Sequence, residues 1–314
     1  MVEVALLGCG GGMPIPERYL SSLLISYKGR KILLDCGEGT QVSMKLLGWG
    51  FKSIDVICIT HGHGDHIVGL PGLLATIGNS GRTEPITIIG PGGITDIVKG
   101  LRVAAPYLPY DLNIIENPQE PLKIQASINC MQTTGGEFHD LIISTMELEH
   151  STKCLGYSFY FRRKPKFDLE NAVMNEIPKI FWSRLQKNET IIDQGKTYFP
   201  SMVLGKERIG IRLSFITDTR PSPEIATFIK SSDLFICEGT YGNENDIEKA
   251  IKNKHMTFSE AAELALNGEV KELLLTHFSP SMLNPEEFKD RAVGIFENTT
   301  IGVDRLVKIM SFKD

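Results

Sequence analysis

The sequence predicts a layered α/β protein whose sheets are covered by helices. Three observations lead there. Apolar strand-like runs and helical stretches alternate loosely along the chain, with hairpins interspersed. Several of the apolar runs end in a residue that can ligate a metal. Finally, Thr60-His61-Gly62-His63-Gly64-Asp65-His66 lies between one such run and an apolar helical stretch. That puts it at the carboxyl end of a strand, where open α/β sheets gather their ligand sites.

Residues 2–8 read as the first strand, followed by the glycine-rich loop Gly8-Cys9-Gly10-Gly11-Gly12-Met13-Pro14. The loop lacks the Gly-Lys-Ser/Thr ending of a nucleotide P-loop, so no nucleotide cofactor is expected. It reads instead as a tight turn bringing backbone close to another element. Residues 23–27 and 31–34 make a hairpin around Gly29, and Asp35-Cys36-Gly37-Glu38-Gly39-Thr40-Gln41 leads into a short helix. Residues 54–60 carry the strand before the histidine loop, and 67–76 the helical stretch after it, with an early proline. A strand at 86–89 precedes a helix from about Ile94 to Val103, and 112–147 hold several strands separated by polar turns.

From about 162 to 206 the pattern fades into a stretch rich in lysine, asparagine and glutamine, read as a flexible arm inserted in a single domain spanning 1–314. Order returns with a strand at 213–217, a helix near 223–230 and a strand at 233–237. A long helix begins at Thr257, whose spacing to Glu260 is that of a capping box. A strand at 272–276, a helix from Pro285 to about Phe296 and a strand near 306–312 complete the chain.

Composition narrows the function classes. With a net charge of −5 over 314 residues, no global basic field marks a nucleic-acid binder, although a local basic patch can coexist with that total. The six cysteines form no C-x-x-C pair and several sit in apolar strands, which fits reduced thiols in the cytoplasm. No signal peptide or membrane-length apolar run is read, so no membrane partner is expected.

Histidines two apart cannot share a helix face. On a loop, with Gly62 and Gly64 giving conformational freedom, His61, His63, Asp65 and His66 can converge. Imidazole and carboxylate together suit zinc, manganese or iron. The same strand-end position recurs: residues 141–146 lead to His150, 213–217 to Asp218, and 273–276 to His277. Four strand ends can therefore meet at one edge of the sheets.

These motifs, together with Gly69-Leu70-Pro71-Gly72-Leu73-Leu74, Gly156-Tyr157, Thr217-Asp218-Thr219-Arg220-Pro221 and Leu275-Thr276-His277-Phe278-Ser279-Pro280, resemble the metallo-β-lactamase superfamily. Within it the chain resembles the ribonuclease Z group of tRNA 3′-processing endonucleases, over nearly its whole length. The resemblance implies an αββα four-layer sandwich and two zinc ions per chain, with manganese or iron as alternatives. His61, His63 and His150 would hold one ion, Asp65, His66 and His277 the other, and Asp218 would bridge them. Water attack on phosphorus would leave a 5′-phosphate on the trailer and a 3′-hydroxyl on the tRNA. Asp65 counts among the catalytic residues, and His255 with Glu238 would form the general-acid pair that protonates the leaving oxygen. His139 has no assigned role and is expected in an exposed loop.

The substrate side departs from the family pattern at Tyr19, Lys179, Cys237, Ser281 and Met282. The arm carries Arg162, Arg163, Lys164, Lys166, Lys179, Arg184 and Lys187, with Phe181 and Trp182 among them. These cations can pair with phosphates and the aromatics can pack or stack; Arg220 joins the expected substrate-binding set. The resemblance implies a tRNA precursor as partner, gripped by the arm, and a homodimer. A phosphodiesterase acting on a small or cyclic diester, or a non-catalytic RNA-binding relative, are the competing readings.

Overall fold

The computed structural model describes residues 1–127, 129–135 and 139–313. The first half runs β1 (Val2–Gly8), β2 (Ser22–Tyr27), β3 (Arg30–Leu34), α1 (Thr40–Leu47), β4 (Ile54–Cys58), α2 (Gly64–Ile67), α3 (Leu70–Asn79), β5 (Ile86–Gly90), α4 (Ile94–Leu101) and β6 (Leu112–Glu116). Then come β7 (Leu122–Ala126), β8 (Met131–Thr133), β9 (Leu141–Leu148) and β10 (Cys154–Arg163). The arm holds α5 (Leu169–Met174), α6 (Lys179–Gln186), β11 (Ile191–Asp193) and β12 (Lys196–Tyr198). The chain ends with β13 (Arg208–Ile216), α7 (Pro223–Phe228), β14 (Leu234–Glu238), α8 (Ile247–Asn253), α9 (Phe258–Asn267), β15 (Leu273–Thr276), α10 (Lys289–Val293), β16 (Thr299–Ile301) and β17 (Leu306–Met310).

Two mixed sheets result, in the orders β17-β1-β2-β3-β4-β5-β6 and β16-β15-β14-β13-β10-β9-β7-β8. Strand periodicity explains the layers. Val2, Val4 and Leu6 of β1 share a core with Phe159 and Phe161 of the other sheet, whereas the alternate Ala5 and Leu7 pack with Met44, Leu73 and Val98 from the covering helices. Ile32 and Leu34 of β3 face the first core and Leu33 the second. Both faces are buried, as the αββα arrangement requires. None of the helices among the described residues is long and apolar enough to cross a membrane.

The arm holds regular elements that the sequence pattern had not shown. Its root is formed by β10 and β13, which continue to a pairing of Arg163 with Arg208. Beyond the root, Ala172, Ile177, Phe181, Leu185, Ile191, Tyr198 and Val203 bury one another in a separate small core. Asp168 caps α5 by accepting from the Asn171 amide at 3.1 Å. The arm is thus a folded unit rather than an irregular segment. His139 also departs from expectation: it is buried, with the Arg162 Nη1 3.2 Å from its ring. The helix read over 285–296 is a 3-10 turn followed by the short α10, while α8 and β16 had not been anticipated.

A charge cluster far from the strand ends ties the sheets together. Fully buried Asp55 accepts from Arg30 Nε at 2.7 Å and from the Met131 amide at 2.8 Å, and pairs with Arg82 at 2.9 Å. Asp55→Ala strands two guanidinium groups in the interior. It is expected to lower stability by about 3–5 kcal/mol in urea unfolding; a loss within the range of an ordinary surface change would show that the arginines re-pair.

Candidate metal centre

The strand ends converge through backbone that most residues avoid. Asp35, Asp218 and His277, each just beyond β3, β13 or β15, adopt left-handed φ values of 54°, 52° and 58°. That turn aims each side chain along the sheet edge. In the histidine loop, His61 follows β4, His63 takes the N-cap position of α2 in extended backbone, and Asp65 and His66 follow inside its single turn.

Two clusters form. In one, His61 Nε2 lies 3.0 Å from His63 Nδ1, which lies 3.3 Å from His150 Nε2. In the other, His66 Nε2 and His277 Nε2 are 3.1 Å apart, and Asp65 Oδ2 stands 3.5 and 3.4 Å from them. Asp218 spans both. Its Oδ2 is 3.7 Å from both His61 and His150, and its Oδ1 is 3.4 Å from His66 and 3.3 Å from His277.

Three of the outward ring nitrogens are held by neighbours, whereas His150 Nδ1 is buried without a hydrogen-bond partner. His66 Nδ1 donates to Asp35 Oδ2 at 2.7 Å. The Thr60 hydroxyl donates to Asp35 at 2.8 Å, leaving its oxygen to accept from His61 Nδ1 at 3.0 Å. Thr240 donates to Glu238 at 2.6 Å and accepts from His277 Nδ1 at 3.1 Å. With Nδ1 held as a donor, each of these rings can turn Nε2 inward as a ligand, the tautomer arrangement that metal ligation uses. Tetrahedral donors ~2.0–2.1 Å from a zinc ion stand roughly 3.3 Å apart, so the donor spacing fits a metal in each cluster. Burial, with neighbouring imidazoles, holds His61 neutral, its pKa lowered to about 2. Asp218 is buried too, which favours its neutral form, but His277 and His66 beside it keep it ionised.

Beside the clusters, His255 Nδ1 lies 3.1 Å from Glu238 Oε2. The buried Glu238 carboxylate also accepts from the Thr219 amide at 2.7 Å, the Met256 amide at 3.0 Å and the Thr240 hydroxyl. Burial works against charge on His255, but Glu238 overcomes it and lifts the pKa to about 9. Asp218, His255 and His277 could also be grouped as ligands. We favour the pair with Glu238, because Asp218 is 4.0 Å from the same nitrogen.

The expected substrate residues are less gathered. Arg220 faces inward, donating to the His255 carbonyl and to both oxygens of Glu260, the capping-box residue of α9. It braces His255 from behind rather than facing the cavity. Arg162 pairs with Glu207 at 2.8 Å, Arg163 donates to the Lys313 carbonyl, and Arg184 pairs with Glu189 at 2.7 Å. Lys164, Lys166, Lys179, Arg184 and Lys187 are exposed, whereas Phe181 is buried in the arm and the Trp182 indole donates to the Ile177 carbonyl. At the departures, Cys237 and the Met282 side chain turn into the core, and Tyr19 covers Gly39.

Sequence reasoning gave Asp35 and Thr240 no role, although an acid ending an apolar strand was the signal that had singled out Asp218. It also missed Lys252 and Lys254, which with Tyr241 line one wall of a 470 Å³ cavity over the clusters. They follow from α8, which periodicity had not revealed.

Fold and site together define a protein of the metallo-β-lactamase fold with a histidine–aspartate centre suited to metal. By structure the chain is similar to YhfI from Bacillus subtilis (TM-score 0.68, 18% identity, 98% of this chain and 100% of that one). It is likewise similar to human tRNase Z, short form (TM-score 0.67, 23% identity, 99% and 100%). The family model described as Anti-Pycsar protein Apyc1 matches residues 2–167. By sequence, the chain is 60% identical to a protein named Ribonuclease Z from Clostridium beijerinckii and 57% identical to one from Clostridium tetani, over the full length of each. The chain belongs to the ribonuclease Z family.

Proposed function

We propose that this chain is a metal-dependent endoribonuclease that removes 3′ trailers from tRNA precursors. The observation that carries the reading is the Asp218 carboxylate, one oxygen toward each histidine cluster, with the His255–Glu238 pair alongside. Full-length relatives named Ribonuclease Z support the choice of substrate.

In this reading His61, His63 and His150 hold one zinc ion, Asp65, His66 and His277 the second, and Asp218 both; manganese or iron would suit the same donors. When bound, the ions supply Lewis acidity at the phosphate and lower the pKa of water. The chain supplies the rest. His255, kept charged by Glu238, gives its proton to the departing 3′ oxygen, leaving the tRNA with a 3′-hydroxyl and the trailer with a 5′-phosphate. Six unpaired thiols, five of them buried, support a reducing cytoplasm. We also infer a homodimer, on the family resemblance.

The deciding experiment is cleavage of a precursor carrying a 3′ trailer, with the product ends mapped, beside an Asp65→Ala control. A cut at the discriminator base, lost in the control, supports the proposal; turnover of small diesters alone would replace it with a phosphodiesterase.

The exposed arm lysines are proposed to meet tRNA phosphates. Replacing Lys166, Lys179 and Lys187 by alanine is expected to raise KM for the precursor. The slope of log affinity against log salt should flatten by roughly 0.7–0.9 for each phosphate left without its lysine. An unchanged slope would remove the arm from the interface.

A further inference from the structure

The glycine-rich loop between β1 and β2 gives no ligand to either cluster, yet it presses against one of them. The Gly12 amide donates to Asp65 Oδ2 at 2.6 Å. Gly11 lies so close to His277 that a Cβ there would stand 2.4 Å from the ring. The loop also runs along the chain beyond His277: the Gly11 amide donates to the Phe278 carbonyl at 3.0 Å, and the Phe278 amide to the Cys9 carbonyl at 2.8 Å.

Two buried charged groups hold this loop from behind. Asp304 accepts from the Cys9 amide at 3.0 Å and from the Tyr19 amide at 2.7 Å, closing the loop at both ends. Arg18 donates to the carbonyls of Met282 at 2.8 Å and Leu283 at 2.9 Å, and its guanidinium lies over the Phe278 ring. The loop is thereby fastened to the segment that follows His277.

We propose that this clamp is a positioning device: Asp304 and Arg18 hold Gly11 and Gly12 so that the Asp65–His66–His277 pocket binds its metal tightly, while the His61–His63–His150 pocket is set independently. The inference rests on the two-metal reading above. A lone carboxylate can swing about its last torsion, and the Gly12 amide stops it where Oδ2 faces both His66 and His277. Gly11 keeps that backbone close without displacing the His277 ring. The order that metal binding would otherwise impose is already present, and groups that hydrogen-bond a ligating carboxylate typically change metal affinity by 10–100-fold.

The test compares metal-free wild type with Asp304→Asn and Gly11→Ala. Asp304→Asn keeps the shape but replaces one acceptor oxygen with an NH₂ group. Gly11 has no positive φ, so alanine adds only the Cβ against His277. Each protein is titrated with Zn²⁺ against a chelating indicator, the bound zinc per chain is counted after dialysis, and thermal unfolding of the metal-free forms checks the fold. Wild type is expected to take two ions. Each variant should hold one as before and the other roughly 10- to 100-fold more weakly. If Asp304→Asn fails to fold, Gly11→Ala decides alone. Unchanged affinities in a folded variant overturn the clamp, and equal weakening of both sites overturns its selectivity. Wild type that takes fewer than two ions overturns the two-metal reading itself, and the proposal with it, before any substitution is considered.

Discussion

Asp218→Asn is expected to lower the rate of precursor cleavage by on the order of 1000-fold or more and to strip metal from both pockets. Asparagine is the informative choice. Residue 218 sits at φ 52°, a region that asparagine tolerates better than alanine, so backbone strain is not confused with lost charge. The substitution keeps the shape but removes an anion that two clusters share. Lewis-acid stabilisation of the transition state is worth several kcal/mol, and each 1.36 kcal/mol is a factor of ten in rate. Asp65→Asn is the matched comparison, because Asp65 faces only His66 and His277. Elemental analysis of dialysed protein should therefore find both sites depleted in the first variant and one in the second. Depletion of a single site by Asp218→Asn would mean that its carboxylate belongs to one cluster only.

The contrast between those two aspartates reflects what a sequence can disclose. His150, Asp218 and His277 were readable because each follows an apolar strand, and parallel neighbours such as β13, β14 and β15 end at the same edge of a sheet. The residues behind them were not. Asp35 occupies the same kind of position, but its partners Thr60 and His66 come from the far side of the β3–β4 pairing, and only the folded sheet brings them together. Arg220 looked like a substrate residue because it adjoins a site motif. Its partner Glu260 lies 40 positions away, and the capping box of α9 is what turns that carboxylate toward it. The internal elements of the arm were illegible for a different reason. Its helices and strands are too short to establish a period, so its core of Ile177, Phe181, Leu185 and Tyr198 looks irregular in one dimension. His139 shows the same limit, because burial against an arginine leaves no pattern in the sequence. The glycine loop was readable halfway: its close backbone approach was expected, but the identity of the approached element, His277 and Asp65, was not.

His255→Ala is expected to lower kcat on the tRNA precursor by about 10²–10⁴-fold while leaving zinc content and KM near wild type. The nitrogen pairs with Glu238, and the ring lies 5.4 Å from that of His150 and 5.5 Å from that of His277, beside the clusters rather than inside either. A proton donor matters only when the leaving oxygen needs a proton. Ribose 3′ oxygens do, being poor leaving groups as alkoxides; a nitrophenolate departs as the anion. The variant should therefore retain most of its rate on a nitrophenyl phosphodiester. Glu238→Gln should follow the same pattern more weakly, since the amide still holds the ring but no longer favours its charge. The outcome divides the two roles open to His255. Parallel loss on both substrates, with zinc lost as well, would make it a ligand with Asp218 and His277. Loss on RNA alone makes it the acid, and places the leaving 3′ oxygen on the Glu238 side of the centre.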